Sequence, residues 1–166
     1  MIVQKLTEDI IHFLMNRALT IVTAESCTGG LIAKLLTDVP GASRVFLGGI
    51  VSYSNEMKEK WLGVVSSILD QHGAVSAEVT EQMVCGILAK TKANVGVAVS
   101  GIAGPTGGTE TKPVGTVYIS AKCNDSLITW HRIFEGDRNA IREQSAEAAL
   151  KLIDQLLNIK TIKNIE

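Results

Sequence analysis

The chain has 166 residues, 46% hydrophobic and 20% charged, with 15 glycines and only 3 prolines. These values exclude a disordered chain and fit one domain that buries about two thirds of the surface it exposes when unfolded. Sixteen basic against seventeen acidic residues leave a formal charge of −1, so the total points to neither nucleic acid nor an anionic membrane as the partner.

Val3, Leu6, Ile10, Phe13 and Leu14 recur at three- and four-residue steps, which predicts an amphipathic helix over residues 3–17. The N-terminus mixes Lys5, Glu8 and Asp9 among its apolar residues, so it lacks the unbroken apolar run of a signal peptide or a membrane span and a cytoplasmic protein is expected. Thr20 to Ala24 is short and β-branched, and after Ser26 and two glycines Leu31 to Leu36 reads as a helix, giving strand, tight turn, helix, closed by Pro40-Gly41. Val45 to Tyr53 is almost wholly apolar or small, the pattern of a strand covered on both faces, and a helix capped by Asn55 follows it. Ser76 caps a further helix to about Lys90, and Val95 to Val99 is another buried strand. Val114 to Lys122 and Leu127 to Phe134 are joined only by Asn124-Asp125-Ser126, too short for a crossover helix, so they must pair antiparallel. A last helix starts after Asp137, and residues 160–166 read as a frayed tail. The alternation predicts a single three-layer α/β/α domain spanning 1–166, with a mixed, mainly parallel sheet.

Ligands of open α/β sheets bind beyond the carboxyl ends of strands, where three segments fall: Glu25 to Gly30, Tyr53 to Lys58, and Ser100 to Gly108. Ser26, between a strand and a helix, either presents its hydroxyl as a nucleophile beside free backbone amides or merely caps the helix. Cys27 is a second potential nucleophile, or a small buried residue. His12 lies in the first helix, His72 near a helix end and His131 in the final hairpin, poorly placed to serve Ser26 as a base. Lys58 fits better, because the positive end of a helix starting at Asn55 disfavours its ammonium form, although a lone lysine is commonly a solvated surface residue. Tyr53 could relay a proton or be a half-buried sheet residue. The Gly-rich run, with Ser100, Gly101, Ala103, Gly104, Thr106, Gly107 and Gly108, suits an anion or a planar ligand, and is otherwise a crossing loop. Arg138 and Arg142 lie four apart near a helix start, placed to hold a phosphate or to form surface ion pairs. Cys27, Cys85 and Cys123 are widely spaced, with neither a CxxC pair nor a histidine set, so no metal and a reducing compartment are expected.

Taken together, the segments 24–30, 53–58 and 100–108, with Gly136-Asp137-Arg138 and Arg142, resemble the CinA C-terminal domain family. The resemblance implies a mixed five-stranded sheet and a bacterial nicotinamide-nucleotide amidase, hydrolysing nicotinamide mononucleotide to nicotinate mononucleotide and ammonia without a cofactor. It implies Ser26 as nucleophile, Lys58 as general base and Tyr53 as its helper, with the Gly-rich loop and Arg142 on the nucleotide-binding surface. On that scheme the backbone of Thr28, Gly29 and Gly30 stabilises the oxyanion. The family also suggests a homodimer. Its longer members carry a further N-terminal domain whose activities are not carried over here. The competing expectations are a non-catalytic nucleotide-binding or regulatory domain, and an amidase of a different small amide.

Overall fold

The computed structural model describes residues 2–159, so the expected frayed tail, 160–166, lies outside the described residues. Within them the chain forms α1 (Ile2–Asn16), β1 (Ile21–Glu25), α2 (Leu31–Thr37), β2 (Phe46–Val51), α3 (Asn55–Leu62), α4 (Ser66–His72), α5 (Ala77–Thr91), β3 (Val95–Gly101), β4 (Thr116–Cys123), β5 (Ser126–Ile133) and α6 (Arg138–Leu157). The five strands lie in the order β2-β1-β3-β4-β5. β1 pairs parallel with β2 and β3, while β3–β4 and β4–β5 are antiparallel, so β4 alone runs against the other four. The expected hairpin turns through Asn124-Asp125, with Cys123 opposite Ser126 and Asn124 at φ 53°, the left-handed backbone that tight hairpins demand.

Two apolar layers flank the sheet. On one face Leu6, Ile10 and Leu14 of α1, Ile32 and Leu36 of α2, and Ile141, Ala149 and Ile153 of α6 pack on Val97, Val99 and Ile119. On the other, Leu62, Leu69, Met83, Val84 and Ile87 cover Val22, Ala24 and Ala98. Central β1 is buried at all five positions, as a strand with helices on both faces must be.

The structure corrects the expectation for β2. It is an edge strand whose exposure alternates, with Leu47 53% and Val51 43% exposed. A short apolar run does not reveal whether a strand is central or lateral. Two smaller corrections concern the following helices. Ser54, not Asn55, caps α3, its Oγ accepting from the Met57 N–H at 3.2 Å, and α4 was not anticipated.

This topology makes the site. β1 leads into α2 on one face and β2 leads into α3 on the other, so a crevice opens at their carboxyl ends, where Glu25 pairs with Val51 and, on its other side, Val99.

Candidate active site

Ser26 leaves β1 with its N–H on the Val99 carbonyl at 3.0 Å and is 8% exposed. The chain then turns through Gly29 and Gly30, at φ 62° and 96°, before α2 begins at Leu31. Both values lie in the left-handed region that glycine enters without strain. Ser26 does not cap α2, because its short side chain stands four residues before the N-cap position Gly30 and its hydroxyl meets Lys58 instead. That work falls to Glu25, a buried carboxylate that accepts from the N–H groups of Gly30 (3.0 Å), Ile32 (3.1 Å) and Ala33 (2.8 Å) and from the Thr28 hydroxyl (2.7 Å). Glu25 ends β1, outside the first turn of α2 where an acid signals a helix start, so sequence reasoning passed over it.

The expected oxyanion donors change accordingly. The Gly29 N–H is spent on the Ser26 carbonyl at 3.0 Å and the Gly30 N–H on Glu25, so neither faces a substrate. Thr28 is fully buried and does not line the cavity, whereas Cys27, next to Ser26, lines it and keeps an N–H without an acceptor on another described residue.

Lys58 comes to Ser26 from the opposite side of the crevice. Its side chain is 1% exposed, and Nζ lies 3.0 Å from Ser26 Oγ, 2.8 Å from the Ser52 carbonyl and 3.4 Å from the Tyr53 carbonyl. No carboxylate balances it among the described ion pairs. Burial therefore pulls its pKa down from 10.5 to about 8, with the nearby Cys27 opposing slightly. Desolvation moves this lysine, not the helix terminus invoked from sequence. A neutral amine suits the three neighbours: two N–H groups serve the two carbonyls and the lone pair faces the Ser26 O–H.

Cys27 does not compete. It is 5% exposed and burial pushes its thiol up to about 12, against smaller opposing effects of its own backbone amide, Lys58 and Arg142. The histidines stand elsewhere: His12 is exposed, His72 lies 3.4 Å from Glu78, and His131 stacks on Tyr118 at 4.5 Å.

A cavity of about 290 Å³ opens on the pair. Of the residues expected there, Ser26, Tyr53, Lys58, Arg138 and Ser100, Gly101, Ala103, Gly104, Thr106 and Gly107 line it. Ala74 and Val75, from the loop before α5, also line it and were missed, for nothing in their composition marks them. Lys112 holds that loop by donating to the carbonyls of His72 (2.6 Å) and Val75 (2.7 Å). Gly108 and Arg142 do not line the cavity. A β-carbon at Gly108 would meet the Val114 N–H at 2.7 Å. Arg142 donates instead to the carbonyls of Cys27 (3.2 Å) and Thr28 (2.8 Å). Nor do the two arginines share an anion, since Arg138 donates to the Gly104 carbonyl (2.8 Å) and the Tyr53 hydroxyl (2.7 Å), and Asp137 already caps α6 through the Ala140 N–H at 2.9 Å. Tyr53 thus meets Lys58 only through its carbonyl, and its 58% exposed side chain sits at the rim with Arg138. No acidic side chain lines the cavity. Among the described residues no cluster suits a metal ion and no helix is long and apolar enough to cross a membrane.

A buried serine hydroxyl beside a lysine amine of lowered pKa, with an unspent backbone amide at an α/β switch point, can support nucleophilic attack on a carbonyl with the amine as base. The family model of the CinA C-terminal domain matches residues 3–157. The chain is 47% identical over 152 residues to the nicotinamide-nucleotide amidohydrolase PncC of Shigella flexneri, covering 91% of this chain and 92% of that one. It is 48% identical to a CinA-like protein of Thermotoga neapolitana over 89% of this chain but 36% of that longer protein. It thus spans little more than a third of such relatives. The solved structure of the competence/damage inducible protein CihA from Agrobacterium tumefaciens superposes with a TM-score of 0.91 at 40% identity, over 93% of this chain and 94% of that one. The chain belongs to the CinA C-terminal domain family.

Proposed function

We propose that the protein hydrolyses the carboxamide of nicotinamide mononucleotide, giving nicotinate mononucleotide and ammonia. The observation that carries the chemistry is the 3.0 Å contact between Ser26 Oγ and a buried Lys58 whose pKa is lowered to about 8. The substrate comes from the Shigella relative, which matches this chain over nearly its whole length under the name nicotinamide-nucleotide amidohydrolase.

In this reading neutral Lys58 takes the proton of Ser26 as its oxygen attacks the carboxamide carbon, and the N–H of Cys27, which lines the cavity, receives the developing oxyanion. A well-aimed donor of this kind contributes about 3 kcal/mol to the transition state. Lys58 returns the proton to the leaving nitrogen, ammonia departs, and water, deprotonated by the same amine, releases the acid from Ser26. The electron-poor pyridinium ring activates the amide. Arg138 at the rim and the Ala103–Gly107 loop supply cation and backbone for the phosphate, with no carboxylate on the cavity wall to repel it. Tyr53 assists from the rim, where its hydroxyl meets Arg138. Family resemblance further suggests a cytoplasmic homodimer acting in pyridine-nucleotide recycling.

The test is ammonia release from the mononucleotide, free nicotinamide and the intact dinucleotide. Release from the mononucleotide alone or preferentially is expected. Release only from another amide redirects the substrate, and thermal stabilisation by the nucleotide without any ammonia favours the non-catalytic binding reading.

A further inference from the structure

The turn that carries Ser26 is chemically demanding and conformationally loose, since two of its five residues are glycines at positive φ. Two side chains outside the cavity hold it. From within, the Glu25 carboxylate, 1% exposed, gathers the Thr28 hydroxyl and three amides of the turn and the first residues of α2. From the α6 side, Arg142 places Nε on the Cys27 carbonyl at 3.2 Å and Nη2 on the Thr28 carbonyl at 2.8 Å. The guanidinium takes no carboxylate among the described ion pairs; its partners are main-chain carbonyls. The turn is also shaped to admit it. A β-carbon at Gly29 would approach Arg142 Nη2 to 3.3 Å.

The geometry of the peptide bond gives these contacts a chemical consequence. In a trans peptide the C=O and the following N–H point in opposite directions. A guanidinium fixed on the Cys27 and Thr28 carbonyls therefore fixes the planes of the two peptides that follow Cys27, and with them the path of the turn that presents Ser26 and Cys27 to the cavity. The carbonyl of Ser26, held by the Gly29 N–H, sets the Cys27 amide in the same manner. Glu25 meanwhile occupies the start of α2, so that helix terminus receives an internal anion and is closed to a substrate phosphate.

We infer that Glu25 and Arg142 are positioning residues that clamp the Ser26–Gly30 turn from its two sides, holding Ser26 and the Cys27 amide in place at the cavity. Neither lines the cavity, so each acts through the turn and not on the substrate. The inference rests on the amidase reading above for its kinetic part. It departs from the expectation that Arg142 binds the nucleotide, and the two assignments predict opposite kinetics.

The experiment compares wild type, Arg142→Lys and Glu25→Gln by steady-state ammonia release from nicotinamide mononucleotide, and by amide hydrogen exchange of the peptide spanning residues 23–31. Lysine keeps the charge and loses the fork that spans two carbonyls. Glutamine keeps the shape of Glu25 and sets an NH2 against N–H donors. The clamp predicts kcat reduced by roughly a hundredfold, the scale of a 1 Å misplacement in a reacting site. It also predicts KM within about threefold of wild type, and exchange of the 23–31 peptide accelerated at least tenfold in both folded variants. A raised KM with kcat retained makes Arg142 a binding residue and overturns the inference, as does unchanged exchange. If Glu25→Gln does not fold, Arg142→Lys alone decides by the same criteria. A wild type that releases no ammonia defeats the amidase reading, while the exchange measurement still judges the clamp.

Discussion

Lys58 offers the sharpest quantitative handle. With a pKa near 8, about a tenth of the free enzyme carries the neutral amine at pH 7 and about nine tenths at pH 9. If that amine is the base for Ser26, kcat/KM for ammonia release climbs about tenfold between those values, along a single ascending limb with its midpoint near pH 8. The sign is diagnostic. Were Lys58 to act instead as a fixed cation for the substrate's phosphate, the same titration would make kcat/KM fall over that interval. The assay is initial-rate ammonia release at subsaturating mononucleotide from pH 6.5 to 9.5, on enzyme shown by circular dichroism to stay folded throughout. A flat profile or a descending limb near pH 8 refutes the reasoning, and a limb near pH 10.5 shows that burial does not perturb the amine.

The same shift is also a stability statement. Lys58 titrates lower in the fold, about 8 against 10.5 when unfolded. The unfolded chain therefore binds more protons, and the penalty of the buried ammonium is full below pH 8 and relieved by pH 10.5. Wild type should gain about 3 kcal/mol across that window relative to Lys58→Met, read from urea unfolding at each pH; parallel curves for the two proteins would contradict it. Cys27→Ala should retain ammonia release within a few fold, because the thiol is buried and pushed up to about 12, whereas loss of activity matching that of Ser26→Ala would reassign the nucleophile. Arg138→Ala should raise KM for the mononucleotide more than it lowers kcat, since Arg138 lines the cavity rim without touching Ser26 or Lys58; an equal loss confined to kcat would place it in the chemistry. Gly86→Ala should destabilise by at least about 1–3 kcal/mol in thermal or chemical unfolding, because its new β-carbon would run into the Leu62 carbonyl where α5 passes α3; an unchanged midpoint would mean that α3 gives way freely.

The layered fold was legible because its signals are local. Three- and four-residue apolar spacing marked α1, α5 and α6, and the short connection Asn124-Asp125-Ser126 forced an antiparallel hairpin whatever lay around it, although Ser126 already belongs to β5. Lateral position is not local, and β2 reads as a buried strand although it is the edge of the sheet and every second residue is exposed. Ser26 and Lys58 were found as members of separate post-strand segments, and their meeting depends on β1 and β2 sending their helices to opposite faces. The cause of the Lys58 shift was misjudged because capping is visible in sequence and three-dimensional burial is not. Arg142 was misplaced for a related reason. An arginine near a helix start suggests an anion, but the strong acceptors within its reach are carbonyls of a turn 114 residues earlier in the chain. Glu25 was overlooked although it stands beside Ser26, because its role becomes evident only when the turn is seen wrapped around the carboxylate.

The account's central claim is that Ser26 attacks a nucleotide carboxamide, and a covalent intermediate tests it most directly. Enzyme mixed with excess nicotinamide mononucleotide should be quenched in acid within the first turnover, digested and analysed by mass spectrometry. The account predicts a nicotinate-mononucleotide acyl group on the peptide containing Ser26, an accompanying burst of ammonia, and loss of both in Ser26→Ala. An acyl group on Cys27, or ammonia released at the wild-type rate by Ser26→Ala, would contradict it.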